Sequence, residues 1–351
     1  MDGSARTRAA VVGTGLIGGS ILLRLRDAGF DVSGWDPDAG TRSAGRDRGL
    51  RFPDRLVEVV SDRDVVFLAG PLATLPATLT EVAALTTEGC LLTDVGSTKV
   101  GIAAAAGRAG LDHRFVPGHP MAGTERAGFA AADGELFRGA AWALCPGPNL
   151  GAFRRVAGLV IEAFEACVVP LTPDRHDEAA AMSSHVPHLL ARALAGAAQR
   201  SPVRAAILAL AAGSFRDGTR VAGTPSSRTA ELLLGNRESV LRGLSAVESF
   251  AGELAGALRS GDVERLVRLL DEGSALRAEL PTAQSAGTGM TESAGMTESA
   301  DSAMVSRTVR FSLADRSDEL AYLLDLGVAG GYLVDCAETQ DEVVYHELRP
   351  R

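Results

Sequence analysis

Ala9-Ala10-Val11-Val12-Gly13-Thr14-Gly15-Leu16-Ile17-Gly18 decides the fold of this chain. Its four leading apolar residues read as a buried strand. They run directly into a G-x-G-x-x-G turn, after which Ile21, Leu22, Leu23, Leu25 and Ala28 recur at helical spacing until Gly29. Val32-Ser33-Gly34-Trp35-Asp36 then reads as a second strand closing on an acid. The first glycine makes the tight turn, the second lets the backbone approach a pyrophosphate, and the third lets helix pack on strand. The pyrophosphate then sits on free N–H groups at a helix N-terminus. Asp36 stands 18 residues after Gly18, where an acid accepts hydrogen bonds from the adenine-side ribose. It would repel a 2′-phosphate, and the adjacent Pro37-Asp38 offers no arginine to receive one. Gly13, Gly15, Leu16, Ile17, Gly18 and Asp36 are therefore expected to bind NAD.

Further along the chain, Asp64–Ala69, Cys90–Val95 and Phe115–Pro117 read as strands, and Ala141–Cys145 and Cys167–Pro170 are expected to complete the same sheet. Residues 1–170 thus read as a doubly wound dinucleotide-binding domain. Ligands bind beyond the carboxyl ends of the strands in such a sheet, and both Ser97 and His119 follow such ends. The segment Gly118-His119-Pro120-Met121-Ala122-Gly123-Thr124-Glu125 offers an imidazole, a hydroxyl and a carboxylate close together.

Strand patterns stop after residue 170. Residues 171–281 read as an all-helical domain, with helices over 174–198, 203–212, 229–234, 237–260 and 263–279 and Asp262 as the N-cap of the last. Met182, Val186, Leu189, Leu190 and Leu194 give the first of these apolar faces, Met182 being read as core. The excess apolar surface is expected to be covered by a second copy, making a homodimer. Residues 282–304 are low in complexity and repeat Gly-Met-Thr-Glu-Ser-Ala, which reads as a flexible linker. Residues 305–351 read as a small β-α-β-β tail, and a chain ending near Leu280 is expected to keep its fold and site.

Composition narrows the class. The 351 residues carry a net charge of −9, which argues against a nucleic-acid or anionic-membrane partner. No apolar run reaches the ~18 residues of a membrane span. Met1–Arg6 leads straight into the first strand, so no secretory leader is expected. The four cysteines form no C-x-x-C pair and suit reduced thiols in a cytoplasm. Lys99 is the only lysine and reads as an ion-pair or helix-terminus residue.

The motifs together carry a resemblance. Gly13–Gly18, Asp94-Val95-Gly96-Ser97-Thr98-Lys99, Gly118–Glu125, His176-Asp177, Ser184-His185-Val186-Pro187-His188 and Gly218-Thr219-Arg220-Val221-Ala222 stand in the order and spacing of the prephenate (arogenate, cyclohexadienyl) dehydrogenases. The chain resembles that family from residue 9 to about 280. The resemblance implies NAD-dependent oxidative decarboxylation of prephenate to 4-hydroxyphenylpyruvate on the route to tyrosine. Arogenate and 4-amino-4-deoxyprephenate are alternative substrates, and a catalytically silent nucleotide-binding regulator is the alternative of another class. It also implies a dimer through the helical domain. Some members carry a C-terminal ACT regulatory domain, of which this tail resembles only a fragment.

By the same resemblance, His119 is the base that takes the ring-hydroxyl proton, a task suited to a neutral imidazole. Ser97 is a hydrogen-bond partner for the same hydroxyl and for the nicotinamide region, although it also reads as a cap for the helix that follows. Arg220 is the guanidinium that matches a substrate carboxylate bidentately. Thr124 and Glu125 line and gate the pocket, and His188 is its second histidine. Arg228 reads equally as a pocket or a surface residue. His185 and His188 sit at i, i+3, but no third ligand accompanies them at metal-site spacing, so no metal is expected.

Overall fold

The computed structural model describes residues 6–124, 126–280, 304–313 and 316–350. The expected linker over 282–304 lies outside the described residues except for Met304, and so does Glu125. The described residues up to His176 form one compact unit with 304–350, and 177–280 form another.

Strands β1 (Arg8–Val12), β2 (Asp31–Trp35), β3 (Val65–Leu68), β4 (Leu91–Asp94) and β5 (Phe115–Val116) make a sheet of order β2-β1-β3-β4-β5. All of its pairs are parallel. Side chains alternate across it, as strand geometry requires. Ala9, Val11 and Phe67 enter a core with Ile21, Leu22 and Leu25, while Ala10, Val12, Val66 and Leu68 enter a second with Leu75, Leu79 and Val82. Burial on both faces is why the strands read as unbroken apolar runs. The register matches Val12 with Trp35 and Leu68, and Leu68 with Asp94, so the strands end level.

The expectation that Ala141–Cys145 and Cys167–Pro170 complete this sheet is corrected. Pro117 ends β5; it has no N–H to donate to a ladder. The chain then begins a second sheet with β6 (Gly118–Pro120), β7 (Ala141–Leu144) and β8 (Cys167–Pro170). Three tail strands extend it: β9 (Met304–Ser312), β10 (Tyr332–Glu338) and β11 (Glu342–Pro350). The order is β6-β7-β8-β10-β11-β9, with β10 antiparallel to β8 through Leu333 and Val168.

The tail is therefore part of the first unit. Leu323, Leu326, Leu333, Val343 and Tyr345 share one core with Trp142, Phe153, Phe164 and Val168. Glu319, on the tail helix Arg316–Val328, is fully buried and receives the Arg154 guanidinium, with Nε–Oε1 at 2.8 Å. Tyr345 Oη donates to the same carboxylate at 2.6 Å, and Glu338 lies 3.1 Å from the other side of Arg154. Gly327 lets the tail helix press on the end of β8, since a Cβ there would meet Pro170 O at 1.8 Å. A chain ending near Leu280 would lose these core residues and leave Arg154 without either carboxylate, so the packing speaks against the expectation that it keeps its fold.

The second unit is helical. The expected single helix over 174–198 is divided into Pro173–Ala180, a π turn over Ala181–His185, and Val186–Gln199 with Pro187 in its first turn. Helices Arg204–Leu210, Gly213–Thr219, Ser226–Gly235, Arg237–Ser260 and Val263–Glu279 follow. Asp262 caps the last, accepting from Arg265 N at 2.9 Å. Met182, expected in the core, is 48 % exposed. It stands in the π turn, where the helical spacing used to place it no longer holds. Leu190, Leu194, Leu234, Leu241, Leu258 and Leu270 are exposed as well. No helix among the described residues is long and apolar enough to cross a membrane.

Candidate active site

The level strand ends gather the fingerprint. Gly13 has a φ of +89°, and a Cβ there would lie 2.7 Å from Gly70 N. Gly18 packs so closely that a Cβ would stand 1.9 Å from Gly13 O. Gly15, at the N-cap of the Leu16–Asp27 helix, has nothing within 4 Å of a Cβ, so the space before the helix N-terminus is open. That combination fits a dinucleotide: two glycines are required by the protein's own packing, and the third leaves room for the pyrophosphate on unsatisfied N–H groups. Asp36 follows β2, and its carboxylate accepts from Thr14 N at 2.8 Å and Asp38 N at 3.0 Å. The fingerprint turn and the ribose-side acid are thus joined directly. Leu16 lines a cavity of about 500 Å³ together with Thr124 and Arg126. Thr124 itself is exposed, and its hydroxyl accepts from Arg126 N at 3.2 Å.

His119 lies in a strand, β6, paired with Ala143 across the ladder. It is half-buried, and its Nδ1 lies 2.9 Å from Nε2 of His176, the rings meeting edge to face with centroids 5.1 Å apart. His176 is buried. With the proton on His119 Nδ1, that bond is donated to His176 and the lone pair of His119 stands on Nε2. The sequence reading quoted His176 in a motif but gave it no role; nothing local announces a partner 57 residues away. Ser97 stands half-buried in the loop after β4. Lys99 and not Ser97 occupies the N-cap of the Val100–Arg108 helix, which removes the capping reading of Ser97.

On the helical unit, three arginines bear on His188. Burial is the largest cause holding its pKa below the ordinary histidine value; the Arg192 charge adds to this, as do those of Arg228 and Arg220, while a bond to the Val221 backbone opposes them. His188 Nδ1 is buried and makes no hydrogen bond. Arg220 opens the Arg220–Gly223 turn and is exposed, as is Arg228. Arg192 was missed by sequence reasoning, though its i, i+4 spacing from His188 was the available signal. Its guanidinium bonds Thr229 Oγ1 at 3.1 Å and Ser226 Oγ at 3.3 Å, and also the carbonyl of Thr224, bracing the segment that carries Arg228. His185 is separate from this group: it is fully buried, with Nδ1 3.1 Å from Asn236 Nδ2.

A glycine-turn nucleotide fold with a bonded histidine pair beyond its strand ends is the arrangement of a dinucleotide-dependent oxidoreductase. Residues 21–165 match the family described as prephenate dehydrogenase, nucleotide-binding domain, and residues 172–272 match prephenate dehydrogenase, dimerization domain. The chain is 30 % identical to a prephenate dehydrogenase of Lactococcus lactis over 76 % of its own length and 75 % of the relative's. Among solved structures, it is similar to A. aeolicus prephenate dehydrogenase in complex with hydroxyphenyl propionate and NAD+. That likeness has a TM-score of 0.72 and 26 % identity, over 80 % of this chain and all of that one. It is also similar to Synechocystis arogenate dehydrogenase, with TM-score 0.69 and 27 % identity, over 78 % of this chain and 99 % of that one. The chain belongs to the prephenate dehydrogenase family of NAD-dependent oxidoreductases. The tail strands lie beyond the residues that match the two family domains.

Proposed function

We propose that this chain oxidises and decarboxylates prephenate to 4-hydroxyphenylpyruvate, with His119 as the base. The observation that carries the role of His119 is its hydrogen bond to the buried His176, which orients the imidazole; with the proton on Nδ1, the lone pair is left on Nε2. Gly13, Gly15, Leu16, Ile17, Gly18 and Asp36 hold the dinucleotide. NAD, when bound, supplies the hydride acceptor. His119 Nε2 takes the proton of the ring hydroxyl as the C–H pair departs as hydride, and the oxygen becomes a carbonyl. The ring carboxylate then leaves as CO2, its bonding pair enters the ring, and the carbonyl oxygen regains a proton as the ring becomes aromatic. His176 holds the His119 ring in place through the same hydrogen bond. Ser97 donates to the same substrate oxygen.

Prephenate carries two carboxylates, and Arg220 binds one bidentately. Arg228 contributes to the same cationic surface, and His188 stands beside it as the second pocket histidine. Thr124 lines the cavity beside Leu16. The exposed leucines of the helical unit are covered in a homodimer, as a dimerization domain implies. The likeness to an arogenate dehydrogenase makes arogenate the second substrate to assay.

The test follows reduced-cofactor absorbance with NAD and NADP, against prephenate and arogenate. His119→Asn is expected to keep NAD affinity and lose roughly 10²–10⁴-fold in kcat, the usual contribution of one general base. Turnover within threefold of the parent would remove His119 from the mechanism.

A further inference from the structure

Lys99 and Asp94 are both fully buried and form an ion pair. Taking an ammonium and a carboxylate out of water is costly, and apolar residues of similar volume often serve stability as well or better. What an apolar pair lacks is direction. Asp94 Oδ2 accepts from Gly96 N at 2.9 Å, and its Oδ1 accepts from Gly118 N at 3.2 Å. Lys99 Nζ donates to Gly118 O at 2.6 Å as well as to Asp94. Both peptide groups of Gly118 and the N–H of Gly96 are thereby fixed by one pair of charges.

Each of those glycines directly precedes a residue of the proposed site: Gly96 precedes Ser97, and Gly118 precedes His119. No strand ladder joins their positions, because β4 belongs to the first sheet and β6 to the second. The space is tight on both sides. A Cβ on Gly118 would meet Asp94 O at 2.9 Å, and one on Gly96 would meet Leu72 Cδ2 at 2.8 Å. Lys99 is also the only lysine among 35 basic residues. An ammonium donates tetrahedrally to oxygens on different sides, which a planar guanidinium does not reproduce in the same volume.

We propose that the buried Lys99–Asp94 pair is a positioning device that sets Ser97 and His119 relative to each other across the seam between the two sheets. This rests on the reading that those two residues handle the substrate hydroxyl. Neither Lys99 nor Asp94 touches substrate in this role; both act through the backbone.

The experiment compares Lys99→Met/Asp94→Asn, which removes both charges at once and leaves none orphaned, with Lys99→Arg and His119→Asn. A misplacement near 1 Å typically costs about 10²-fold in rate. The neutral pair is expected to lose at least roughly thirtyfold in kcat, with KM for prephenate and Kd for NAD within about threefold of the parent. Lys99→Arg, which keeps the charge but not the geometry, is expected to lose kcat likewise. If the neutral pair does not fold, Lys99→Gln carries the same thresholds. Should kcat stay within threefold while His119→Asn loses turnover, the pair is not a positioning device. Losses of kcat, KM and NAD affinity in proportion would make it structural only and equally overturn the proposal. Full turnover in His119→Asn would instead remove the site reading on which it rests.

Discussion

The two sheets of the first unit are put together on different terms. The first is all parallel and drawn from the first 116 residues, and its yield is a row of level carboxyl ends that carry Gly13, Asp36 and the Ser97 loop. The second joins β8 to β10, whose paired residues Val168 and Leu333 are far apart in the chain, and its centre is a buried charge cluster with no place in the chemistry. His119 is its one contribution to the proposed site, delivered by its first strand at the seam. One sheet concentrates function at its edge, and the other concentrates stability in its middle. Substitutions should therefore separate cleanly into those that unfold the unit and those that leave it folded but change its kinetics.

The largest effect belongs to the second sheet. In Glu319→Ala, Arg154 loses its bidentate partner, and Tyr345 loses the acceptor for its hydroxyl. Glu338 remains, but its side chain is 43 % exposed and cannot replace a buried carboxylate. Breaking a buried pair from one side costs about 3–5 kcal/mol. Urea unfolding followed through Trp142, which lies in the same core, should show a loss in that range. Arg154→Met/Glu319→Leu should recover much of it, because apolar replacement of both partners is often neutral. A Glu319→Ala protein within about 1 kcal/mol of the parent would mean that the tail only leans on the unit.

The same contrast explains what the sequence disclosed. Parallel strands buried on both faces read as apolar runs, so β1 to β5 were found from Ala9–Val12 onward almost to the residue. The glycine turn and Asp36 carry their meaning locally, since their spacing is the chemistry. The second sheet was not legible. Ala141–Leu144 was seen as a strand but assigned to the wrong sheet, and Gly118–Pro120 was not seen as a strand at all. Nothing local tells Leu333 to pair with Val168, or Glu319 to meet Arg154. Partners were missed in the site for the same reason. His119 was named from its motif, but His176 and the arrangement of Arg192 around Thr224–Thr229 emerge only once separate segments fold together. The π turn at Ala181–His185 broke the period used to place Met182.

A residue outside both sheets provides the intermediate case. Arg220 is exposed on the helical unit, so Arg220→Ala should leave stability nearly unchanged. Loss of one partner of a hydrogen-bonded charge pair costs about 2–5 kcal/mol where bound substrate buries it, as proposed for Arg220. KM for prephenate should therefore rise by roughly thirtyfold or more, with NAD affinity unaffected. A second readout is the titration of His188, whose pKa is held down in part by Arg220. Removing a like charge favours the protonated imidazole, so the His188 midpoint should move up towards the ordinary ~6.5. An unchanged KM together with a shifted His188 would place the carboxylate on Arg228 or Arg126 instead.

The smallest effect sharpens the comparison most, because it falls on the first sheet and is a change of preference. Asp36 should make kcat/KM for NAD at least about tenfold higher than for NADP, a difference near 1.4 kcal/mol. Two features set that value. The carboxylate stands at the end of β2, held by Thr14 N and Asp38 N, so it cannot easily swing away from a 2′-phosphate. A cation is nevertheless close: Arg42 Nη1 donates to Asp36 O at 2.8 Å and to Pro37 O at 3.1 Å, and its Nε lies 3.5 Å from Asp54. Sequence reading looked only at the next two residues and missed Arg42, which the following helix turns back towards the acid. In Asp36→Ala the repulsion disappears and Arg42 remains, so NADP use should rise and the gap should narrow to about threefold or less. Thr14 N loses a bond worth about 1 kcal/mol, well below the cost of Glu319→Ala. Equal use of both cofactors by the parent enzyme would show that Asp36 does not select. A loss of stability in Asp36→Ala as large as that of Glu319→Ala would erase the division between the two sheets, because the functional edge would then be holding the fold as well.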